Sequence, residues 1–418
     1  MRNTIYLWST GLLLACFSSC DMSTSTESKG KLDESSSPKK EELLVYQNAS
    51  EGVVLNNGLP GLSADQWAEY TLNVAETGRY RITISGNTKE DSKVWIEDYV
   101  HNTDGRTYDI TGKLAIGPER TETSIDGSPL QKGEHQIRLH VQQGSFVPES
   151  IDLEILQTYT PTADTLVQQM DGTEKVLVWS DEFDVAGSPE STKWMYNIGN
   201  WGWGNNELQY YTANKLENAR VEDGTLIIEA HKDETATGWS SARLTTQSHV
   251  TFKYGILEIA AKVPEGRGTW AAGWMLGDAY RDEVSWPYCG EIDVLECVGY
   301  EIDDATGNGM NHATCHTPAY YFKQGNQISA DIAVENMNNA YHVYAMEWYP
   351  DSIRCLLDGE HYYTYDKTAN ELEWPFNEPQ NIILNLAVGG GWGGAKGIDS
   401  SFVHHQFIID YVRIYELQ

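Results

Sequence analysis

Gly290-Glu291-Ile292-Asp293-Val294-Leu295-Glu296 places three carboxylates within six residues of an otherwise apolar stretch. Ile292, Val294 and Leu295 require burial, which argues against three solvated acids on an exposed edge strand. The segment reads as a core strand whose acids open onto a cleft. Strict alternation puts Glu291 and Asp293 on one face and Glu296, five residues from Glu291, on the other. One extra residue at Val294-Leu295, a β-bulge, restores a shared face. The two glutamates then lie four effective steps apart, roughly 13 Å between Cα atoms at about 3.3 Å per step. Side chains leaning together leave roughly 5–6 Å between the carboxyl groups, the separation of a retaining rather than an inverting glycosidase. Asp293, between them, is placed to bond the nucleophile and to keep a neighbouring carboxyl protonated by like-charge repulsion.

Outward from this strand the chain keeps the same period. Runs at Thr225–Ala230, Thr251–Val263, Tyr341–Trp348, Asn381–Val388 and Gln406–Tyr415 read as strands, and Asp358-Gly359 joins Ile353–Leu357 to His361–Tyr365 as a hairpin. Many strands and few helices predict an all-β domain of two large packed sheets over residues 176–418. Eleven of the fourteen tryptophans fall after residue 175. Those in Trp201-Gly202-Trp203, Gly268-Thr269-Trp270 and Gly391-Trp392-Gly393 stand in Gly-rich loops, where indoles suit stacking on sugar C–H faces. Trp179, Trp194 and Trp348 are the candidates for core packing instead. Upstream, Tyr70, Leu72, Ile82, Ile84, Ile137, Leu139, Ile151 and Leu153 alternate between Gly and Asn turns, predicting a small β-sandwich module over residues 44–157. A polar stretch at 158–175 is expected to link the two.

The N-terminus carries one Arg, a short apolar run from Thr4 to Phe17 and small residues before Cys20. This resembles a bacterial lipoprotein signal over residues 1–20, with Cys20 as the lipidation site, rather than a membrane-spanning helix. Residues 21–43, rich in Ser, Thr, Lys and Glu, have too little apolar surface to fold and read as a tether. The expected location is the cell envelope, with contact to the membrane only through the lipid anchor. Cys289, Cys297, Cys315 and Cys355 read as free thiols, with room for one disulfide. Against 61 acidic residues stand 29 Lys and Arg, a net charge of −32. That field excludes nucleic acid as a partner and disfavours sulfated or uronic polysaccharides, leaving neutral glycans. A monomer is expected.

The Glu-Ile-Asp-Val-Leu-Glu segment resembles the bulged signature of glycoside hydrolase family 16, in the form carried by laminarinase-like endo-β-1,3-glucanases. Trp179-Ser180-Asp181-Glu182-Phe183, Trp203-Gly204-Asn205-Asn206-Glu207-Leu208-Gln209-Tyr210-Tyr211, Ser241-Ala242-Arg243-Leu244, Gly273-Trp274-Met275-Leu276 and Asp410-Tyr411-Val412-Arg413 are similar to that family in order. The resemblance implies a concave β-jelly-roll sandwich with a glucan cleft across one sheet. It assigns Glu291 as nucleophile, Asp293 as its assistant and Glu296 as acid/base. Trp270 and Trp274 are implied as stacking platforms, and Asn205, Arg243, Trp286 and His312 as residues contacting flanking sugars. His312 and His316 share a strand face by parity, and His312 is preferred. Where relatives have Trp-Pro-Ala, this chain has Trp270-Ala271-Ala272, which points to a looser loop.

No cofactor is expected for catalysis. In the last strand Asp410 interrupts the row of Ile408, Val412 and Ile414, so a buried carboxylate there needs a cation or donor. The family resemblance implies a structural calcium ion held by Glu182, the backbone oxygen of Gly224 and Asp410, with an Arg or backbone partner for Asp410 as the alternative. Trp67–Val74, Gly78–Ile82 and Gly133–Leu139 resemble family 6-like carbohydrate-binding modules, but Gly144-Ser145-Phe146-Val147-Pro148-Glu149-Ser150 stands where a sugar-gripping loop is usual. The module is therefore a sugar binder or a spacer. The expected activity is endo-hydrolysis of β-1,3-glucan or mixed-linkage β-1,3/1,4-glucan. Alternatives are an agar-type β-galactan hydrolase, a non-catalytic glucan-binding protein, or net transglycosylation.

Overall fold

The computed structural model describes residues 2–6, 45–98, 108–160, 162, 164–233, 238–277, 286–401 and 403–418. Cys20 and the expected tether at 21–43 lie outside them. The described residues are almost entirely β, arranged as four sheets over two main apolar cores.

Residues 45–160 form the first sandwich. Gly78–Asn87, Glu122–Leu130 and Ser145–Thr158 make one sheet, and Trp67–Val74, Ser92–Asp98 and Gly133–Gln143 the other. The alternating residues named above are buried between them. Arg2–Tyr6, within the expected signal segment, pairs along the Ser145–Thr158 strand. The expected linker is more structured than its composition suggests. Asp164–Val167 adds a parallel strand beside Val250–Lys253, with Leu166 against the second core. A four-residue edge strand offers too few alternations to be read from sequence.

The second sandwich stacks a nine-stranded sheet on a ten-stranded one. Gln380–Val388, Thr269–Gly277, Glu291–Val298 and Gly309–His316 lie side by side in the former. Asp358 (φ 49°) and Gly359 (φ 85°) form the hairpin turn, both in the left-handed region that a type I′ turn requires. Trp194 and Trp348 are core residues, and Trp179 packs on that core half-buried. The predicted run at Thr251–Val263 is two strands, Val250–Lys253 and Gly255–Lys262, broken at Tyr254.

Two register shifts matter. Leu295 pairs with Gly273 and Asp293 with Trp274, so Val294 is the extra residue, as the parity count requires. Ile292, Val294, Leu295 and Cys297 consequently all enter the core, while the three acids face the other way. In the last strand, Tyr411 pairs with Ala260 and Ile409 with Ala261, leaving Asp410 as the extra residue. The buried row is therefore Phe407, Ile409, Val412 and Ile414, and Asp410 is half-buried outside it. The expectation of a core-facing Asp410 fails because the bulge changes the parity of the strand at that residue. Ala271 likewise sits in a strand paired on both sides, to Cys297 and Leu386, so no loop is loosened there.

Leu295 is fully buried beside the bulge. Leu295→Ala is expected to cost roughly 2–5 kcal/mol, read as a lowered urea midpoint; a wild-type midpoint would contradict this packing.

Candidate active site

Thr269–Gly277 supplies the floor of a cleft that is open to solvent. Its even-numbered residues, Trp270, Ala272, Trp274 and Leu276, line the cleft, while Ala271 and Met275 point into the core. Glu291, Asp293 and Glu296 line it from the neighbouring strand, as do Asn205, Arg243 and Trp286 from loops and edges.

Three of the cleft indoles are fixed by their N–H groups. Trp286 Nε1 donates to Glu291 Oε2 at 2.9 Å and Trp270 Nε1 to Glu296 Oε1 at 3.0 Å. Trp274 Nε1 donates to Asn385 Oδ1 at 2.8 Å. Trp286 thus orients a carboxylate as well as presenting a ring. These bonds set the side-chain directions of both glutamates before any sugar arrives.

Histidine placement differs from the sequence preference. His312 Nε2 contacts Glu301 Oε2 at 2.7 Å and its ring meets Trp392 edge-on, at 4.9 Å between centroids. Trp392 in turn packs on Trp270 at 5.5 Å, which puts His312 three contacts away from Glu296. It is absent from the cleft lining, whereas His316 faces the acids directly. His316 Nε2 lies 3.7 Å from Glu291 Oε1 and 3.5 Å from Asp293 Oδ2. The cause is register: His316 pairs with Glu291 itself, a long-range fact that parity within one strand does not carry. Among the described residues, Glu291, Asp293 and His316 form the one group of three whose donor atoms lie within 4.8 Å of one another, the spacing a metal ion would require.

Burial governs the charges. Asp293 is buried and its carboxyl is pushed well above the usual range by desolvation, then by Glu291 and Glu296. Glu296 is pushed up to about 7 by burial, with the Glu207 charge adding and the Trp270 N–H opposing. Burial pushes His316 down to about 4, so its imidazole is neutral at pH 7 and leaves the carboxylate charges uncancelled. Glu207, within the Trp203–Tyr211 segment, is a further site residue that its spacing in the sequence does not single out. It lines the cleft, is raised to about 7 by burial, and accepts bonds from Asn205, Gln209 and Tyr211. Asn385, Phe322 and Lys323 also line it, and none lies near the signature in sequence.

Glu182, Gly224 and Asp410 lie away from the cleft. Glu182 follows a strand that pairs with His404–Leu417, and its two oxygens accept from Arg413 Nε at 2.9 Å and Nη2 at 2.7 Å. Gly224 occupies a turn at φ 75°. Glu182 therefore has a guanidinium partner in place, and a cation would share or displace it. Cys289, Cys297, Cys315 and Cys355 are buried, and none of the four is in a disulfide.

A concave two-sheet sandwich with a cleft lined by indoles and bearing a bulged row of acids defines a polysaccharide-cleaving enzyme. The family model for glycosyl hydrolases family 16 matches residues 205–413, and the chain belongs to that family. It is 45% identical over 247 residues to a β-glucanase of Rhodothermus marinus, covering 57% of this chain and 84% of that protein. The crystal structure of the laminarinase from Rhodothermus marinus superposes with a TM-score of 0.54 at 44% identity, over 58% of this chain and 98% of the other. A non-specific endo-β-1,3(4)-glucanase of the same family superposes equally, at 0.54 and 36% identity, over 60% of this chain and 97% of its own.

Because the fold raises the Glu296 pKa from 4.5 to about 7, folding favours the protonated form. Its charged form is therefore destabilising once pH rises above the unfolded value, and fully so above about pH 7. Glu296→Gln should raise the melting temperature relative to wild type at pH 8 and leave it unchanged at pH 4.5. Equal shifts at both values would contradict the burial argument.

Proposed function

We propose that the chain is a retaining endo-β-glucanase acting on internal bonds of β-1,3-glucan or mixed-linkage β-1,3/1,4-glucan. The observation that carries this reading is the bulge at Val294, which turns Glu291, Asp293 and Glu296 onto one face of an indole-lined cleft. Similarity to laminarinases and endo-β-1,3(4)-glucanases supports the choice of sugar.

In the first step Glu291 attacks the anomeric carbon, while protonated Glu296 gives its proton to the glycosidic oxygen and the leaving chain departs. The covalent glycosyl-enzyme is then cleaved by water, whose proton Glu296 takes back. A carboxyl held near 7 serves both steps at neutral pH. Asp293, kept protonated by burial, lends a hydrogen bond to the nucleophile side without adding a third negative charge. Trp270 and Trp274 offer their rings to sugars on either side of the scissile bond, and Asn205, Arg243 and Trp286 contact flanking units.

Glu291→Gln or Glu296→Gln should lower kcat by at least about three orders of magnitude on laminarin, and near-normal turnover would refute the assignment. Product profiles on laminarin, mixed-linkage glucan and agarose tell the sugars apart: gluco-oligosaccharides from the first two are expected, and cleavage confined to agarose would move the enzyme to galactans.

A structural calcium ion at Glu182, the Gly224 carbonyl and Asp410 belongs to the same reading, since these hard oxygen donors suit it. Chelation should lower the melting temperature of wild type and not of Asp410→Ala; indifference of both would remove the ion. Lipidation at Cys20 would hold the enzyme at the cell envelope, facing its polymer.

A further inference from the structure

The loop that forms one part of the cleft wall is packed on the N-terminal sandwich. Trp201, Trp203 and Tyr211 belong to the first sandwich's apolar core, together with Tyr80, Ile125 and Leu130. Trp201 is 2% exposed and Trp203 5%, so these indoles, expected to stand free for sugars, are anchored from behind. Both still border the cleft.

The contact is close along the backbone. Asn200 N donates to Asp126 O at 2.9 Å, and Asp126 N to Asn200 Oδ1 at 3.0 Å. Gly127 and Gly199 face each other there, at φ 92° and 123°. A Cβ on Gly127 would come within 2.1 Å of Ile198 O, and one on Gly199 within 2.3 Å of Asp126 O. Tyr210 OH adds a bond to Asp126 Oδ2 at 3.2 Å. Swinging modules are joined by polar, wet surfaces, whereas this junction has a shared apolar core and matched glycines.

One buried side chain carries the contact to the cleft. Arg79 of the N-terminal sandwich donates to Gly127 O at 3.0 Å, and its guanidinium carbon lies 4.8 Å from the centre of the Trp203 ring. Arg243, across the domain junction, lies 4.8 Å from the same ring and 4.8 Å from Trp274. Arg243 Nε is held by Asn197 Oδ1 at 3.2 Å, on the same loop. Arg79, Trp203, Arg243 and Trp274 therefore form one run of cation–π contacts from the module to the cleft floor.

Resting on the glucanase reading above, we propose that the N-terminal sandwich is a fixed backing for the wall of the glucan cleft that Trp201 and Trp203 form. In it Arg79 is a positioning residue that sets Arg243 for sugar binding through Trp203. The module then acts on how long chains are held, without binding a separate glucan.

The test uses the full chain and β-1,3-gluco-oligosaccharides of increasing length. Arg79→Ala should raise KM for the longer oligosaccharides about tenfold, the loss of a desolvated cation–π contact, with kcat within about twofold and the shortest cleaved substrate unaffected. Arg79→Lys keeps a cation by the indole and should recover part of the loss. Tyr210→Phe, a mild change at the same junction, should shift KM in the same direction by a smaller factor. Arg138→Ala, on the module's other sheet, should match wild type. Wild-type KM values in folded Arg79→Ala and Tyr210→Phe would overturn the proposal, as would an equal fall of kcat on every length. If the wild-type chain cleaves none of these oligosaccharides, the glucanase reading fails and this one with it.

Discussion

A regular strand cannot show residues five apart on the same face, and every feature of the cleft follows from how this chain escapes that rule. Val294 has no partner on the neighbouring strand, so the side chains after it reverse sides. Ile292 and Val294 reach the core before the shift, and Leu295 and Cys297 after it. The apolar residues hold the bulge in place because removing it would turn Leu295 and Cys297 to water. With the core fixed, Glu291, Asp293 and Glu296 have one direction left, towards the cleft.

Three acids so placed would repel each other and resist burial. Tryptophan N–H groups hold Glu291 and Glu296, while Asp293 and Glu296 respond to desolvation by holding their protons more tightly. His316 stays neutral beside them, so the pocket keeps its negative charge at the nucleophile. The same indoles that orient the acids form the apolar surface a sugar ring needs, and binding and chemistry are therefore built from one set of side chains.

Much of this was legible in the sequence because local rules carry it. Alternation located the main strands, and acids among Ile, Val and Leu located the cleft and required the bulge. What escaped depends on partners distant in the chain. His316 rather than His312 meets Glu291 because of pairing between two strands. Trp201 and Trp203 are covered by a separate sandwich, which a Gly-rich loop does not announce. At Asp410 the same device, a bulge, takes the carboxylate out of the apolar row; a regular strand with a cation at the acid accounts for the same sequence, so alternation alone does not choose between them.

The stereochemistry of the first product tests the central claim most directly. If Glu291 and Glu296 stand as a pair suited to a covalent intermediate, NMR of laminarin at the earliest times of hydrolysis will show the new reducing ends as β-anomers, with α-anomers growing in only by mutarotation. Reducing ends that appear first as α-anomers would mean a single inverting displacement, and the account of the bulge as the arranger of a retaining pair would be wrong.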